Sequence, residues 1–155
     1  MANEIYLTKN GRNKLIEELE ALIKRKPLVQ EEIARAREHG DLRENAEYHA
    51  AKETLTNLAR RIMELESKLS RARILDEKNI SKDKVYIGVT VLLKDVDSGD
   101  EFDYTIVDVE EASLAEKKIS VQSPMAQGLL GHKPGETVAV KLPNGTMNVH
   151  ILKII

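Results

Sequence analysis

The stretch Arg37-Glu38-His39-Gly40-Asp41-Leu42-Arg43-Glu44-Asn45-Ala46-Glu47-Tyr48 decides how this chain folds. It is polar, holds a glycine, and separates two long runs whose apolar residues recur at alternating steps of three and four. Before it the seam runs Leu15, Leu19, Leu22, Lys26, Val29, Ile33, Ala36. After it come Tyr48, Ala51, Leu55, Leu58, Ile62, Leu65, Leu69 and Ala72, and only Lys26 is out of character. Such spacing averages about 3.5 residues per turn, which keeps one stripe of a helix facing a partner helix. The two stripes also share a register. Ala36 with Tyr48, Ile33 with Ala51, Val29 with Leu55, Leu22 with Ile62, Leu19 with Leu65 and Leu15 with Leu69 are all centred on residue 42. A common centre is what an antiparallel hairpin produces; two helices pairing with a second chain do not require it. The predicted hairpin projects about 45 Å, from roughly 30 residues per arm at about 1.5 Å each. Pro27 is expected to remove one helical hydrogen bond and bend the first arm. Lys26 is expected to turn its charge outward from the seam.

Beyond residue 80 the period changes to two. Strands are predicted over residues 86–94, 101–109, 118–121, 137–142 and 147–155, with a short helix over 124–130 stopped by Gly131. Ser123 is placed to cap that helix, with Pro124 in its first position. Asp97-Ser98-Gly99-Asp100 and Pro143-Asn144-Gly145-Thr146 read as turns, the Asn-Gly pair suiting a tight type I′ hairpin. The chain therefore divides into an antiparallel coiled-coil hairpin over 1–76, a polar linker over 77–84 and a compact domain over 85–155. The fold class is α+β, a long helical hairpin followed by a small antiparallel sheet with one short helix.

Composition removes several functions. With 155 residues, 41% hydrophobic and 32% charged, the chain can build a core and is not of disordered type. No apolar run is long enough to cross a membrane as a helix, and the opening MANEIYLTKNGRNK lacks a signal-peptide apolar region, so a cytoplasmic location away from membranes is expected. Zero cysteines exclude a disulfide scaffold, a thiol nucleophile and a cysteine-ligated zinc site. Four Tyr, one Phe and no Trp are too few for a base-stacking platform. Residues 1–75 hold 15 basic and 13 acidic side chains and residues 76–155 hold 9 and 13, giving the net charge of −2. That is too little positive charge for a free-standing nucleic-acid binder.

At the fold-back two readings compete. In the first, Gly40 ends the first helix, Asp41 caps the second and Glu44 completes a capping box, with no chemistry involved. In the second, Asp41 and Glu44 form a carboxylate pair at the end of a rigid arm. Two carboxylates are too few for a complete Mg²⁺ cage, because that ion demands six oxygens and keeps its waters. The positive end of the second helix would disfavour a cation as well. Such a pair makes only a partial site, completed by another macromolecule that already holds a metal.

The tip GDLRENAEYHAAKE, followed after the hairpin by SVQSPMAQGLLGHKPGE, resembles the Gre transcript cleavage factors of bacterial RNA polymerase, most of all the GreA type. The resemblance spans both modules in order. It implies an FKBP-like second domain and a factor that is not itself an enzyme and binds no cofactor tightly when alone. The hairpin would enter the polymerase secondary channel and meet the 3′ end of backtracked nascent RNA. There Asp41 and Glu44 would help recruit a Mg²⁺ shared with the polymerase and position the attacking water, accelerating the polymerase's own endonucleolytic cleavage and rescuing arrested complexes. Gly40, Leu42, Arg43, Asn45 and Tyr48 would support the tip. The stretch Ser123, Pro124, Met125, Gly128, Leu129, Leu130 and Gly131 would dock at the channel rim. A monomer is expected.

The remaining candidates keep plain alternatives. Arg37 and Lys52 flank the tip, either as solvated helix surface or as contacts to RNA or the channel wall. Leu42 either packs back on Tyr48 or touches the partner, and Tyr48 lies on the seam, where core packing explains it. His39 and His49 lie ten apart across the turn, without metal-site spacing. Rival functions are a prolyl isomerase, which would need more rings than Phe102, Tyr86 and Tyr104, a non-cleaving channel occupant, and a coiled-coil adaptor.

Overall fold

The computed structural model describes residues 4–39 and 45–155. Its elements are β1 (Ile5–Leu7), α1 (Lys9–Arg37), α2 (Ala46–Arg71), β2 (Ala72–Ile74), β3 (Thr90–Asp95), β4 (Glu101–Val107), a 3₁₀ turn (Val109–Glu111), β5 (Lys118–Ser120), α3 (Pro124–Leu129), β6 (Thr137–Leu142) and β7 (Gly145–Ile154). They form two compact units, one holding residues 12–72 and the other residues 4–11 and 73–155.

In the first unit α1 and α2 pack in the register that the seams set. Ile33, Ala36, Tyr48 and Ala51 make one buried cluster, with Leu55 against it. Val29, Leu58 and Ile62 make another, joined by Leu19, Leu22 and Leu55. Burying a side chain of this size stabilises by roughly 1.5–3 kcal/mol. Lys26 is exposed, as a charged residue on the seam should be. Helix α1 continues through Pro27. Across the arms Arg61 makes a bidentate pair with Glu18, at 2.8 Å from Nε and 3.0 Å from Nη2, while its Nη1 reaches Glu64. Both charges are partly solvated, so this staple contributes at most about 1 kcal/mol.

The second unit is a five-stranded sheet in the order β5-β4-β3-β7-β6. Its core holds Val91, Leu93, Ile106, Ile119, Val138, Val140, Val149 and Ile151, with Ala126 and Leu129 from α3. The pairs β3–β4, β3–β7 and β6–β7 are antiparallel, as the alternating pattern requires, but β4–β5 is parallel. The 3₁₀ turn and the turn closed by Ser113 and Lys118 carry the chain back before β5, so β5 runs in the direction of β4. The turn before β7 also departs from expectation. Leu142 pairs with Gly145, leaving Pro143-Asn144 at the corner, and Asn144 has no positive φ. A type I′ turn needs positive φ at both central residues, and the proline ring forbids that at the first.

Two short elements escape the periodic reading. Strands β1 and β2 form a separate two-stranded sheet, and the Leu75 N–H donates to the Leu7 carbonyl at 2.8 Å. Within the second unit the Glu111 carboxylate accepts the Thr8 N–H at 2.9 Å and pairs with the Thr8 hydroxyl. The Thr8 oxygen in turn accepts the Gly11 N–H at 3.0 Å, satisfying an orphan donor at the start of α1. A Cβ on Gly11 would lie 2.3 Å from Glu111 Cδ, so any larger residue there must displace the Glu111 carboxylate from Thr8.

Candidate functional site

The hairpin end is built by Asn45. Helix α1 closes after Arg37 with two tight turns, in which Glu38 N–H donates to the Arg35 carbonyl and His39 N–H to that of Ala36. Helix α2 opens at Ala46 with Asn45 as its N-cap, in extended conformation, and Asn45 Oδ1 accepts the Tyr48 N–H at 3.1 Å. The Asn45 Nδ2 donates to the Ala36 carbonyl at the end of α1, which also accepts the His39 N–H. One side chain thus caps α2 and ties it to α1. The capping role expected for Asp41, with Glu44 completing a box, is filled by Asn45 instead. Asn and Asp cap about equally well, so a shift of four residues costs the helix end nothing in cap quality. Gly40, Asp41, Leu42, Arg43 and Glu44 lie outside the described residues.

Beside this clasp stands Tyr48, only 8% exposed and packed among Ile33, Ala36 and Ala51. The Arg37 guanidinium carbon lies 5.7 Å from its ring centroid and the Lys52 ammonium 5.3 Å, both within the range of cation–π attraction. The Arg37 side chain and, with it, Lys52 hold the Tyr48 phenol below its ordinary pKa against the opposing effect of burial. His49 stacks edge-on against the ring at 5.6 Å between centroids, and His39 is exposed. Tyr48 is therefore both a core residue and the common neighbour of the two basic side chains beside the tip. The i, i+4 spacing of Tyr48 and Lys52 was the available sequence signal for that contact. Among the described residues no group of three or more His, Asp or Glu is placed to hold a metal.

The second candidate surface is α3 and its flanks. Ser123 Oγ accepts the Ala126 N–H at 3.2 Å and Pro124 takes the first helical position. Leu129 is fully buried, and a Cβ on Gly128 would lie 3.0 Å from Val140 Cγ2, so these two serve the packing of helix on strand. Met125 and Leu130 are partly buried against the same core, leaving Pro124 and Gly131 as the exposed members of the stretch. Gly131 has a φ of 83°, and its N–H donates to the Val85 carbonyl while Val85 N–H donates to that of His132. The Glu136 carboxyl closes the next turn. It accepts the Lys133 N–H at 2.7 Å and faces His132 Nδ1 at 3.0 Å, and these contacts, the backbone one first, hold its pKa below the usual carboxylate range.

Two family models match these units in order. Residues 5–74 match the N-terminal domain of transcription elongation factors, and residues 80–155 match the C-terminal domain of the GreA/GreB elongation factors. The chain belongs to the GreA/GreB family of transcription elongation factors. It is 51% identical over 155 residues to the transcription elongation factor GreA of Chloroherpeton thalassium, covering 99% of this chain and 98% of that one. With GreA of Chlorobium phaeobacteroides it shares 48% over 157 residues, again covering 99% and 98%. Among solved structures, GreA factor homolog 1 of Thermus thermophilus is 31% identical, covers 99% of both chains and overlays with a TM-score of 0.46. Membership of the GreA/GreB family agrees with the helical hairpin followed by a curled sheet domain. No described helix is long and apolar enough to cross a membrane.

Proposed function

We propose that this GreA-type protein binds bacterial RNA polymerase and stimulates the polymerase's own cleavage of backtracked nascent RNA. In this reading residues 1–76 act as the probe that enters the secondary channel, 77–84 as the linker, and 85–155 as the part that docks at the channel rim. Pro124 and Gly131 offer exposed contacts for docking, while Gly128 and Leu129 shape the helix that presents them. The protein is not itself the enzyme, and it works as a monomer in the cytoplasm.

The observation that carries the reading is the cap. Asn45 closes α2 and secures it to α1. The N-cap of α2, the structural role the sequence offered to Asp41 and Glu44, is therefore filled by another residue. Their hard oxygen donors suit Mg²⁺, but two carboxylates are too few to hold it alone. A second Mg²⁺ held jointly with the polymerase, beside the one the polymerase's own carboxylates hold, would complete a two-metal site that stabilises the attacking and leaving oxygens of an in-line displacement. Asp41 and Glu44 would supply the factor's share of its ligands and orient the water that attacks the RNA phosphate. A probe that leaves takes its ligands with it, so cleavage would be switched by insertion.

The test is a stalled, backtracked bacterial polymerase complex given this protein and Mg²⁺. Short RNA fragments carrying the 3′ end should appear, and the protein alone should leave RNA intact. Unchanged transcripts despite polymerase binding would overturn the proposal in favour of a non-cleaving channel occupant.

A further inference from the structure

The two long sides of the helical hairpin are not alike. A residue that precedes a seam residue falls on one side, and a residue that follows one falls on the other. Contacts in the structure mark both sides. Glu18 and Arg61, which precede Leu19 and Ile62, pair across the arms at 2.8 Å. Arg37 and Lys52, which follow Ala36 and Ala51, both reach the ring of Tyr48. On the first side the middle of the hairpin carries Arg25, Glu32, Arg35, Arg61 and Glu64. On the second it carries no charge: α1 presents Ile23, Pro27 and Gln30, and α2 presents Ala59 and Met63. Ile23 is 50% exposed and Met63 70%, at nearly the same level of the register. Charge returns only toward the ends of this side. Glu20 and Glu66 lie away from the tip, Arg37 and Lys52 lie beside it, and all four are exposed.

We propose that the second side is a self-association surface, on which another copy of the chain packs antiparallel about a two-fold axis. In the hairpin register Lys52 lies level with residue 32 of α1 and Glu66 level with residue 18, so the acidic and basic pairs are centred near Pro27. An axis across the face at that level sets Arg37 opposite Glu20 of the other copy and Lys52 opposite its Glu66, each within about one helical turn. A two-fold contact makes every such pair twice. A parallel arrangement sets like charges against like and is disfavoured. The uncharged middle meets itself, and Ile23 and Met63 leave water. A second copy is favoured over another protein because the order acid, neutral, base is complementary to itself when reversed. The surface between the charged ends is about 30 Å long and about 20 Å wide, roughly 600 Å² per copy. A standard stable interface takes about 800 Å² per partner, so this dimer is weak and reversible. It is a resting form of a protein that works as a monomer, and the pairing does not rest on the cleavage reading.

The experiment is sedimentation of the full chain over a range of concentrations at low salt. The parent should form a dimer with a Kd of about 10–200 µM. Raising the salt from about 0.05 to about 0.5 M should weaken it several-fold. Ile23→Gln with Met63→Gln should weaken it at least about tenfold at parental helix content, since both positions are exposed. Leu28→Gln, at a position 57% exposed but preceding the seam residue Val29, should leave it unchanged. Charge exchange then tests the geometry. Arg37→Glu with Lys52→Glu makes both ends of the surface acidic, and Glu20→Lys with Glu66→Lys makes both ends basic. Neither protein should pair with itself, and a mixture of the two should pair at least as tightly as the parent. A parent that stays monomeric up to about 1 mM overturns the proposal. So does a dimer that survives the Ile23 and Met63 changes, or a mixture of the charge-exchanged proteins that stays monomeric. A monomeric parent whose Ile23→Gln, Met63→Gln form binds polymerase more weakly would assign this side to the polymerase instead. Sedimentation needs no polymerase, so a failed dimer leaves the cleavage reading standing.

Discussion

The two units hold themselves together by different means. The hairpin is one long contact between neighbours in register, its buried residues thinly spread in small clusters along two exposed arms. The sheet unit gathers twelve buried residues into one cluster fed by strands far apart in sequence. A seam of that kind tolerates local change, because each layer touches only the next. A single core transmits it everywhere. The tip can therefore carry functional residues at little cost to the rest of the molecule.

The contrast can be broken by mutation, starting where the effect is largest. Ile106→Ala empties the centre of the sheet core, where Ile106 is fully buried, and should cost about 2–5 kcal/mol in urea unfolding. A cost below about 1 kcal/mol would mean that the core is not the single body described. Gly11→Ala comes next. Its Cβ must drive the Glu111 carboxylate off Thr8, and thermal unfolding should show a loss of about 1–3 kcal/mol for the stranded Thr8 N–H. Asn45→Ala should cost about 1 kcal/mol, since both the cap and the bond to Ala36 go, whereas Asn45→Asp keeps the cap and restores part of it. An Asn45→Ala protein as stable as the parent would return the cap to another residue.

The smallest effect concerns pH. Arg37 first, then Lys52, lowers the Tyr48 pKa, so the folded chain releases this proton at lower pH than the unfolded chain. The unfolded state then binds more protons between the lowered and the ordinary phenol value, and stability rises with pH across that window only. Below it the shift contributes nothing. Tyrosinate absorbance, taken as the difference between the parent and Tyr48→Phe, should show the early midpoint, and Arg37→Gln should raise it.

Much of this was legible in the sequence, for reasons of period. Register follows from a repeat, so the pairing of Ile33 with Ala51 could be read before any coordinates. The strand positions and the Ser123-Pro124 helix start follow from alternation and cap chemistry. What stayed hidden has no period. Strands β1 and β2 are three residues each, too short to alternate. The Glu111–Thr8 contact joins residues 103 apart. Asp41-x-x-Glu44 imitates a capping box while Asn45, an equally good cap, holds the position. The role of Asp41 and Glu44 came from the wider motif around them and not from any spacing.

The most direct test of the central claim is the maximal cleavage rate with Asp41→Asn and with Glu44→Gln, measured at saturating protein. Both substitutions keep size and remove charge. The account predicts a loss of at least about tenfold for each, with polymerase binding and unfolding temperature close to those of the parent. Full cleavage by both proteins would contradict it.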